Sequence, residues 1–179
     1  MKTVSLLAAG LLPLTALSSC ATHHAGEPRA ATALEGRTVL AGCRQRQCSW
    51  LRVMRVEQES ELRRIVARRG SSSHREGDIP RRAADARIAW ENEDRAEYAL
   101  CSTRRPAYAF PSDGGDLIVH FLDLFDLAGY QYSSATLYMA VCHGRDALPA
   151  EAVLRSLGYA PGTRSEQIEA TGPEALTRF

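Results

Sequence analysis

The stretch Arg-Ile-Ala-Trp-Glu-Asn-Glu-Asp-Arg-Ala-Glu-Tyr-Ala-Leu, residues 87–100, carries the clearest secondary-structure signal in the chain. Apolar side chains alternate with charged ones before and after the polar run Asn-Glu-Asp-Arg at 92–95. Alternation with a period of two is typical of a strand with one buried face, and a polar run between two such segments is typical of a turn. The stretch therefore predicts a β-hairpin, with Ala96, Tyr98 and Leu100 on one face, within an antiparallel sheet.

Further strands are predicted on both sides of this hairpin. Residues 49–57 are rich in β-branched and aromatic side chains, which favours a strand. Residues 61–68 fit either a strand or a short helix, and we favour the strand. Residues 106–110 form another short strand candidate. The glycines, serines and proline of residues 70–82 predict a mobile loop between strands.

The second half of the chain contains the helix signals. Residues 149–157 have a proline in the first turn and a glycine just past the end, so they predict a helix. Residues 133–143 fit either a strand or a helix, and we favour a helix that ends at a glycine. Residues 117–127 fit both a capped helix and a buried strand. Together the patterns predict an α+β fold, with an antiparallel β-sheet in the first half and two to three helices in the second.

Length and composition predict one globular domain. The chain has 179 residues, of which 45% are hydrophobic and 24% are charged. These proportions are typical of a packed domain and exclude a disordered chain. We place the single α+β domain at residues 36–179. The net charge of +1 gives no reason to expect a nucleic-acid partner.

Charge is unevenly distributed along the domain. Residues 52–87 hold ten arginines and six acidic residues. Such a segment could contact anionic head groups or glycan phosphates, or it could be an ordinary solvated face. Clustered tyrosines can likewise form a glycan- or protein-binding platform or lie half-buried in a core. The candidate binding surface consists of these arginines and tyrosines: Arg63, Arg64, Arg68, Arg69, Tyr130 and Tyr132.

Four cysteines predict two disulfide bonds. Cys43, Cys48, Cys101 and Cys142 form an even set in a chain with an export-type N-terminus. Three pairings are open, and we favour Cys43–Cys48 with Cys101–Cys142. A zinc site on the first pair is the alternative, but no further ligand follows at the usual close spacing.

The first twenty residues resemble a bacterial lipoprotein signal. Lys2 is followed by a short apolar run at 4–17 and then by Leu-Ser-Ser-Cys at 17–20, which is similar to a lipobox. The resemblance implies a signal peptide at 1–19 and a diacylglycerol on the sulfur of Cys20. It also implies an acyl chain, such as palmitate, on the new amino group.

Residues 20–35 would then be the lipidated cysteine and a flexible tether. Ala21 in place of an aspartate favours the outer membrane, facing the periplasm, because the aspartate marks inner-membrane retention in many enteric lipoproteins. The membrane is thus an expected partner through Cys20. The tether also holds His23 and His24, for which we expect no structural role.

No catalytic residue, metal site or cofactor is predicted. Cys142 and His143 cannot act as a nucleophile and base by themselves, because adjacent side chains diverge on a strand and on a helix. The run from Asp113 to Asp116 contains two glycines and predicts a turn rather than a calcium loop.

These features favour a non-catalytic binding or envelope-maintenance module whose partner is an envelope protein or a glycan. One alternative is an envelope hydrolase acting on cell-wall material. Another is an inhibitor of a lysozyme-like hydrolase. The chain is similar to the small lipoprotein lysozyme inhibitors in joining a lipobox to disulfide-bonded β structure, but it lacks their signature motifs. An enzyme should place perturbed ionisable groups in a cleft, whereas a binder should expose an aromatic or arginine patch.

Overall fold

A computed structural model describes residues 33–178, which form one seven-stranded antiparallel sheet and two α-helices. Each strand pairs with the one before it in the chain, so the sheet is a simple meander. The strands are β1 Thr38–Arg44, β2 Gln47–Glu59, β3 Leu62–Ser73, β4 Ala89–Leu100, β5 Ala107–Pro111, β6 Leu117–Phe121 and β7 Glu166–Ala170. The helices are α1 Tyr132–His143 and α2 Glu151–Ser156, and both lie in the connection between β6 and β7.

Helix α1 covers one face of the sheet, and its contacts are with β1, β4 and β5. The helix is buried along most of its length, from Ser134 to Val141. The main core lies between this helix and alternate residues of the long strands, such as Leu51, Val53 and Ile65. Burial of side chains of this size stabilises a fold by about 1.5–3 kcal/mol each.

A second, smaller core lies at β6, on the face of the sheet opposite to the one that α1 covers. Successive strand residues point to opposite faces, so Val119 and Phe121 point away from α1 while His120 points toward it. Leu176, from the short 3₁₀ helix Pro173–Leu176, covers this second core. Both faces of the sheet are therefore covered at the end that holds β5 to β7.

The hairpin predicted within residues 87–100 is wrong, because this stretch forms the single strand β4. Arg68 pairs with Asp94 and Gly70 pairs with Trp90, so three residues of β4 (91–93) face one residue of β3. The polar run thus forms a bulge that lets the strand continue in the same direction. A bulge and a turn favour the same polar residues, and the sequence pattern did not separate them.

Tyr98 and Leu100 share one face, as predicted, but the opposite face of β4 is buried as well. Glu97 is fully buried on the face that α1 covers, beside Ala99, whereas Tyr98 packs against the second core. An acidic side chain at a core position reverses the expected pattern because charged groups are rarely buried without partners.

The other secondary-structure predictions have mixed outcomes. The strands at 61–68 and 106–110 and the helices at 133–143 and 149–157 are confirmed. The first part of the loop predicted at 70–82 is wrong, since β3 continues to Ser73. Residues 117–121 form a strand, and β7 was not predicted. The α+β class holds only in a coarse sense, because three of the seven strands follow residue 106.

The packed domain begins before the predicted boundary at residue 36. Leu34 is buried in the main core, and the carboxylate of Glu35 accepts a hydrogen bond from the Val56 amide at 2.9 Å. The signal peptide, Cys20 and most of the predicted tether lie outside the described residues. Within residues 33–178, no helix combines the length and apolar character needed to span a bilayer.

Both disulfide bonds match the pairing favoured from the sequence. Cys43 and Cys48 face each other across the β1–β2 hairpin, with Cα atoms 4.0 Å apart. Cys101, just after β4, bonds to Cys142 near the end of α1, with Cα atoms 5.4 Å apart. The first bond closes a turn, and the second attaches the covering helix to the sheet.

We expect the second bond to contribute more to stability than the first. The chain-entropy model assigns about 4 kcal/mol to the longer loop and about 2 kcal/mol to the shorter one. Chemical denaturation of C101S/C142S should therefore show the larger loss in the free energy of unfolding, about 2–5 kcal/mol, with C43S/C48S as the matched control. Equal losses, or non-reduced peptide maps that pair Cys43 with Cys101 or Cys142, would contradict the assignment.

Candidate functional site

A buried carboxylate lies at the centre of the face that α1 covers. Glu97 of β4 has no solvent exposure. Arg69 of β3 donates two hydrogen bonds to its two oxygens, at 2.6 and 2.8 Å, and the hydroxyl of Tyr108 on β5 donates a third at 2.6 Å. A buried charge is tolerated only when it is paired and hydrogen-bonded in this way.

The surroundings fix the charge states of this network. Burial alone would lower the pKa of Arg69, but the Glu97 carboxylate outweighs that effect and raises it. Burial, reinforced by the same carboxylate, raises the pKa of Tyr108 well above its usual value. Tyr108 therefore remains a hydrogen-bond donor across the physiological range. The guanidinium of Arg69 also lies over the ring of Phe110, 5.1 Å from its centroid.

A second buried chain joins the start of α1 to strands β6 and β7. The Nδ1 atom of His120 lies 2.8 Å from the hydroxyl of Ser134, and its Nε2 lies 3.0 Å from the side-chain oxygen of Gln167. Burial lowers the pKa of His120, although the hydrogen bond to Gln167 opposes this. The neutral ring satisfies both contacts when Nε2 donates to Gln167 and Nδ1 accepts from Ser134.

The Ser134–His120–Gln167 chain has the order of a serine hydrolase triad but not its chemistry. A triad needs a group that stabilises the imidazolium, usually a carboxylate, whereas Gln167 offers a neutral amide. Ser134 and His120 are both buried, and neither lines the cleft described below. These hydrogen bonds therefore attach α1 to the sheet, and the three side chains provide no exposed nucleophile.

A third network lies at the other end of α1, beside Cys142. The hydroxyl of Tyr159 lies 2.6 Å from that of Tyr138 and 2.6 Å from Nε2 of His143. Burial raises the pKa of Tyr159 to about 12 and also raises that of Tyr138. Burial and then the positive charge of Arg63 lower the pKa of His143. The disulfide removes the thiol that a cysteine nucleophile would need.

The six residues predicted as a binding surface do not lie together. Arg63 and Arg69 point toward the main core, where Arg63 donates to the carbonyl of Val141 at the end of α1. Arg64 and Arg68 are on the opposite face, in ion pairs with Glu57 and Asp94. The alternation of β3 separates the two pairs, although bulges also shift its register.

Tyr130 and Tyr132 are exposed, by 54% and 53%, at the start of α1. Tyr132 borders a cleft of about 450 Å³ between the β1–β2 turn and this helix start, which we call the turn cleft. Its lining is about equally polar and apolar and comprises Gly42, Cys43, Arg44, Gln47, Ser49, Gly129, Tyr132 and Ser133. Of the predicted surface, only Tyr132 lines the turn cleft.

Two backbone features shape the turn cleft. Gln45 and Arg46 both have positive φ, 50° and 62°, as a two-residue hairpin turn requires. Gly42 approaches α1 so closely that a Cβ atom there would lie 3.1 Å from the Ser133 hydroxyl. Sequence reasoning missed the cleft because Cys43 and Tyr132 are distant in the chain, and no local pattern connects them.

Comparison with known proteins adds no assignment, since no protein-family model, curated protein or solved structure matches the chain. The geometry of the described residues therefore carries the functional argument.

Removing the partner of the buried carboxylate should destabilise the fold strongly. Arg69→Met leaves Glu97 unpaired, and breaking a buried pair costs about 3–5 kcal/mol. Because the Arg69 side chain is about a third exposed, we expect a loss near the lower end. Arg68→Met is the matched control on the same strand, where an ion pair at the surface contributes under about 1 kcal/mol. Equal losses in urea denaturation of the two variants would contradict a special role for Glu97.

Proposed function

We propose that this chain is an exported, lipid-anchored module of the cell envelope that binds a polar glycan in the turn cleft without transforming it. The observation that carries the proposal is the cleft itself, where an exposed aromatic ring stands beside a guanidinium, an amide and hydroxyl groups on a rigid frame.

The lining of the turn cleft fits a carbohydrate better than an apolar ligand. Tyr132 offers a flat apolar ring together with a hydroxyl, and Arg44 and Gln47 offer hydrogen-bond donors. Ser49 and Ser133 add small hydroxyl groups on opposite walls. A volume of about 450 Å³ lies within the range of roughly 300–1,000 Å³ typical of small-ligand sites.

The frame of the turn cleft is firmly held. The Cys43–Cys48 bond and the β1–β2 ladder fix one wall. The opposite wall is the start of α1, which the Ser134–His120 contact ties to β6. A preformed cleft loses little entropy on binding, and this favours affinity.

The ionisable groups support binding rather than catalysis. The imidazoles of His120 and His143 are both engaged in hydrogen bonds inside the protein. Glu97, the buried carboxylate, is neutralised by Arg69. These three side chains thus serve the interior, whereas the turn cleft presents an aromatic ring and an arginine.

Two features support the proposal of a lipid anchor. One is the lipobox-like Leu-Ser-Ser-Cys at 17–20, and the other is the pair of disulfide bonds, which persist in oxidising compartments outside the cytosol. A lipid anchor of two or more acyl chains at Cys20 would hold the module at the outer membrane on its periplasmic side. Two chains are needed because a single one binds a bilayer only marginally.

Replacing Cys20 with Ala tests the anchor. The variant should retain its signal peptide and incorporate no labelled fatty acid. Cys48→Ala is the control for loss of a cysteine elsewhere and should still be labelled. Fatty-acid labelling of the Cys20→Ala chain would show that the lipobox interpretation is wrong.

Co-sedimentation with insoluble cell-wall glycan tests the turn cleft. The detergent-solubilised full chain should sediment with the glycan, and Tyr132→Ala should weaken binding about tenfold, since a central tyrosine often contributes more than about 1 kcal/mol. Met54→Ala, which truncates an exposed apolar side chain on β2, should bind like the original protein.

Three outcomes of this assay separate the hypotheses. Binding that survives Tyr132→Ala places the glycan site elsewhere. Release of soluble glycan fragments supports the hydrolase alternative. Absence of sedimentation rules out the glycan and leaves an envelope protein, such as a lysozyme-like hydrolase, as the partner class.

A further inference from the structure

We propose that Cys43, Cys48 and His74 form a binding site for a thiophilic metal ion, of which Zn²⁺ is the type, once the Cys43–Cys48 bond is reduced. The observation is that the three potential ligand atoms lie within 4.8 Å of one another. This inference does not depend on the proposed glycan binding.

Three adjacent strands bring these residues together. Cys43 on β1 pairs with Cys48 on β2, and Cys48 pairs with Ser72 on β3. His74 follows β3 directly, and its backbone amide donates to the carbonyl of Arg46 in the β1–β2 turn at 3.0 Å. The sequence did not reveal the third ligand because His74 is far from both cysteines in the chain.

This backbone arrangement does not depend on the disulfide. β2 is paired over its whole length with β3, from Gln47 opposite Ser73 to Glu59 opposite Leu62. The hydrogen bond from His74 fixes the end of β3 to the turn. The reduced protein therefore keeps both thiols and the imidazole on a preformed frame.

The imidazole of His74 is already oriented. Its Nδ1 lies 2.8 Å from the carbonyl oxygen of Arg75, a contact in which the ring nitrogen must donate. The second ring nitrogen then keeps its lone pair. Metal-binding histidines usually show this arrangement, because a backbone carbonyl fixes the tautomer and strengthens the other nitrogen as a ligand.

The chemistry balances with a dithiol reductant of the thioredoxin class. The reductant transfers two electrons and two protons to the Cys43–Cys48 bond and becomes a disulfide itself. The two thiols then lose two protons as they bind Zn²⁺, so the metal and two thiolates are neutral together. The imidazole of His74 supplies the third ligand, and a water completes the tetrahedral set.

The required movements are small. Thiolate ligands at about 2.3 Å from a tetrahedral ion stand roughly 3.8 Å apart. The two sulfur atoms must therefore separate from their bonded distance, while the imidazole, whose ligand atom already lies within 4.8 Å of both, approaches by at most about 1 Å. Rotation of the side chains accounts for both changes.

Cobalt titration of the full chain tests this site. The protein is solubilised in detergent and titrated with Co²⁺ before and after reduction with a non-coordinating phosphine. The reduced protein should bind one Co²⁺ with the near-ultraviolet absorption of a sulfur–cobalt bond, and added Zn²⁺ should displace it. The oxidised protein should show no such absorption.

Two variants assign the ligands. C43S/C48S keeps Cys101 and Cys142, so it controls for thiols elsewhere and should lose the absorption. His74→Gln removes one ligand and should weaken Zn²⁺ binding at least tenfold in competition with a chelator. Circular dichroism should show the folded sheet in both.

The proposal is wrong if the reduced protein binds neither ion. It is also wrong if reduced C43S/C48S binds like the original chain, which would place the metal on Cys101 and Cys142. An unchanged Zn²⁺ affinity in His74→Gln would show that the histidine is not a ligand, and the metal would then be bound by the two thiols alone.

Discussion

The buried carboxylate of Glu97 constrains the centre of this fold. A charge in that position must be neutralised, and the structure meets the requirement with a guanidinium from β3 and a phenol from β5. Three neighbouring strands are thereby fixed in register through side chains as well as through the backbone. Helix α1 covers this polar cluster, so the cluster and the main core share one face of the sheet.

The position of α1 follows from contacts at both of its ends. At the start, Ser134 meets His120, and at the far end Arg63 donates to the Val141 carbonyl, where a cation also favours the helix dipole. The Cys101–Cys142 bond adds a covalent link beside that end. A helix held this way leaves its exposed start, with Tyr132, as a firm wall of the turn cleft.

The sequence predicted those helices and strands whose signals lie within a few adjacent residues. The helix at 149–157 and the strand at 106–110 carry their signals in a few adjacent residues. The polar run at 92–95 failed because a bulge and a turn favour the same composition. The burial of Glu97 was not predicted because it depends on Arg69, a residue of another strand.

The candidate sites were harder to predict for the same reason. The two disulfide bonds were predicted from the export-like N-terminus and from spacing, since four cysteines allow only three pairings. The turn cleft and the grouping of His74 with Cys43 and Cys48 both depend on which strand ends meet. Contacts between strand ends depend on the topology of the whole sheet, and no short segment of sequence predicts them.

The meander order has a consequence for how the chain acquires its structure. Because every strand pairs with its predecessor, a chain that emerges N-terminus first can add strands in the order of synthesis. Cys43 and Cys48 meet in the first hairpin, before Cys101 has emerged, so the earliest pair is withdrawn from exchange. Cys101 then meets only Cys142. Topology thus guides the oxidation of four thiols toward one of three pairings, and the last bond forms when α1 settles on the finished sheet.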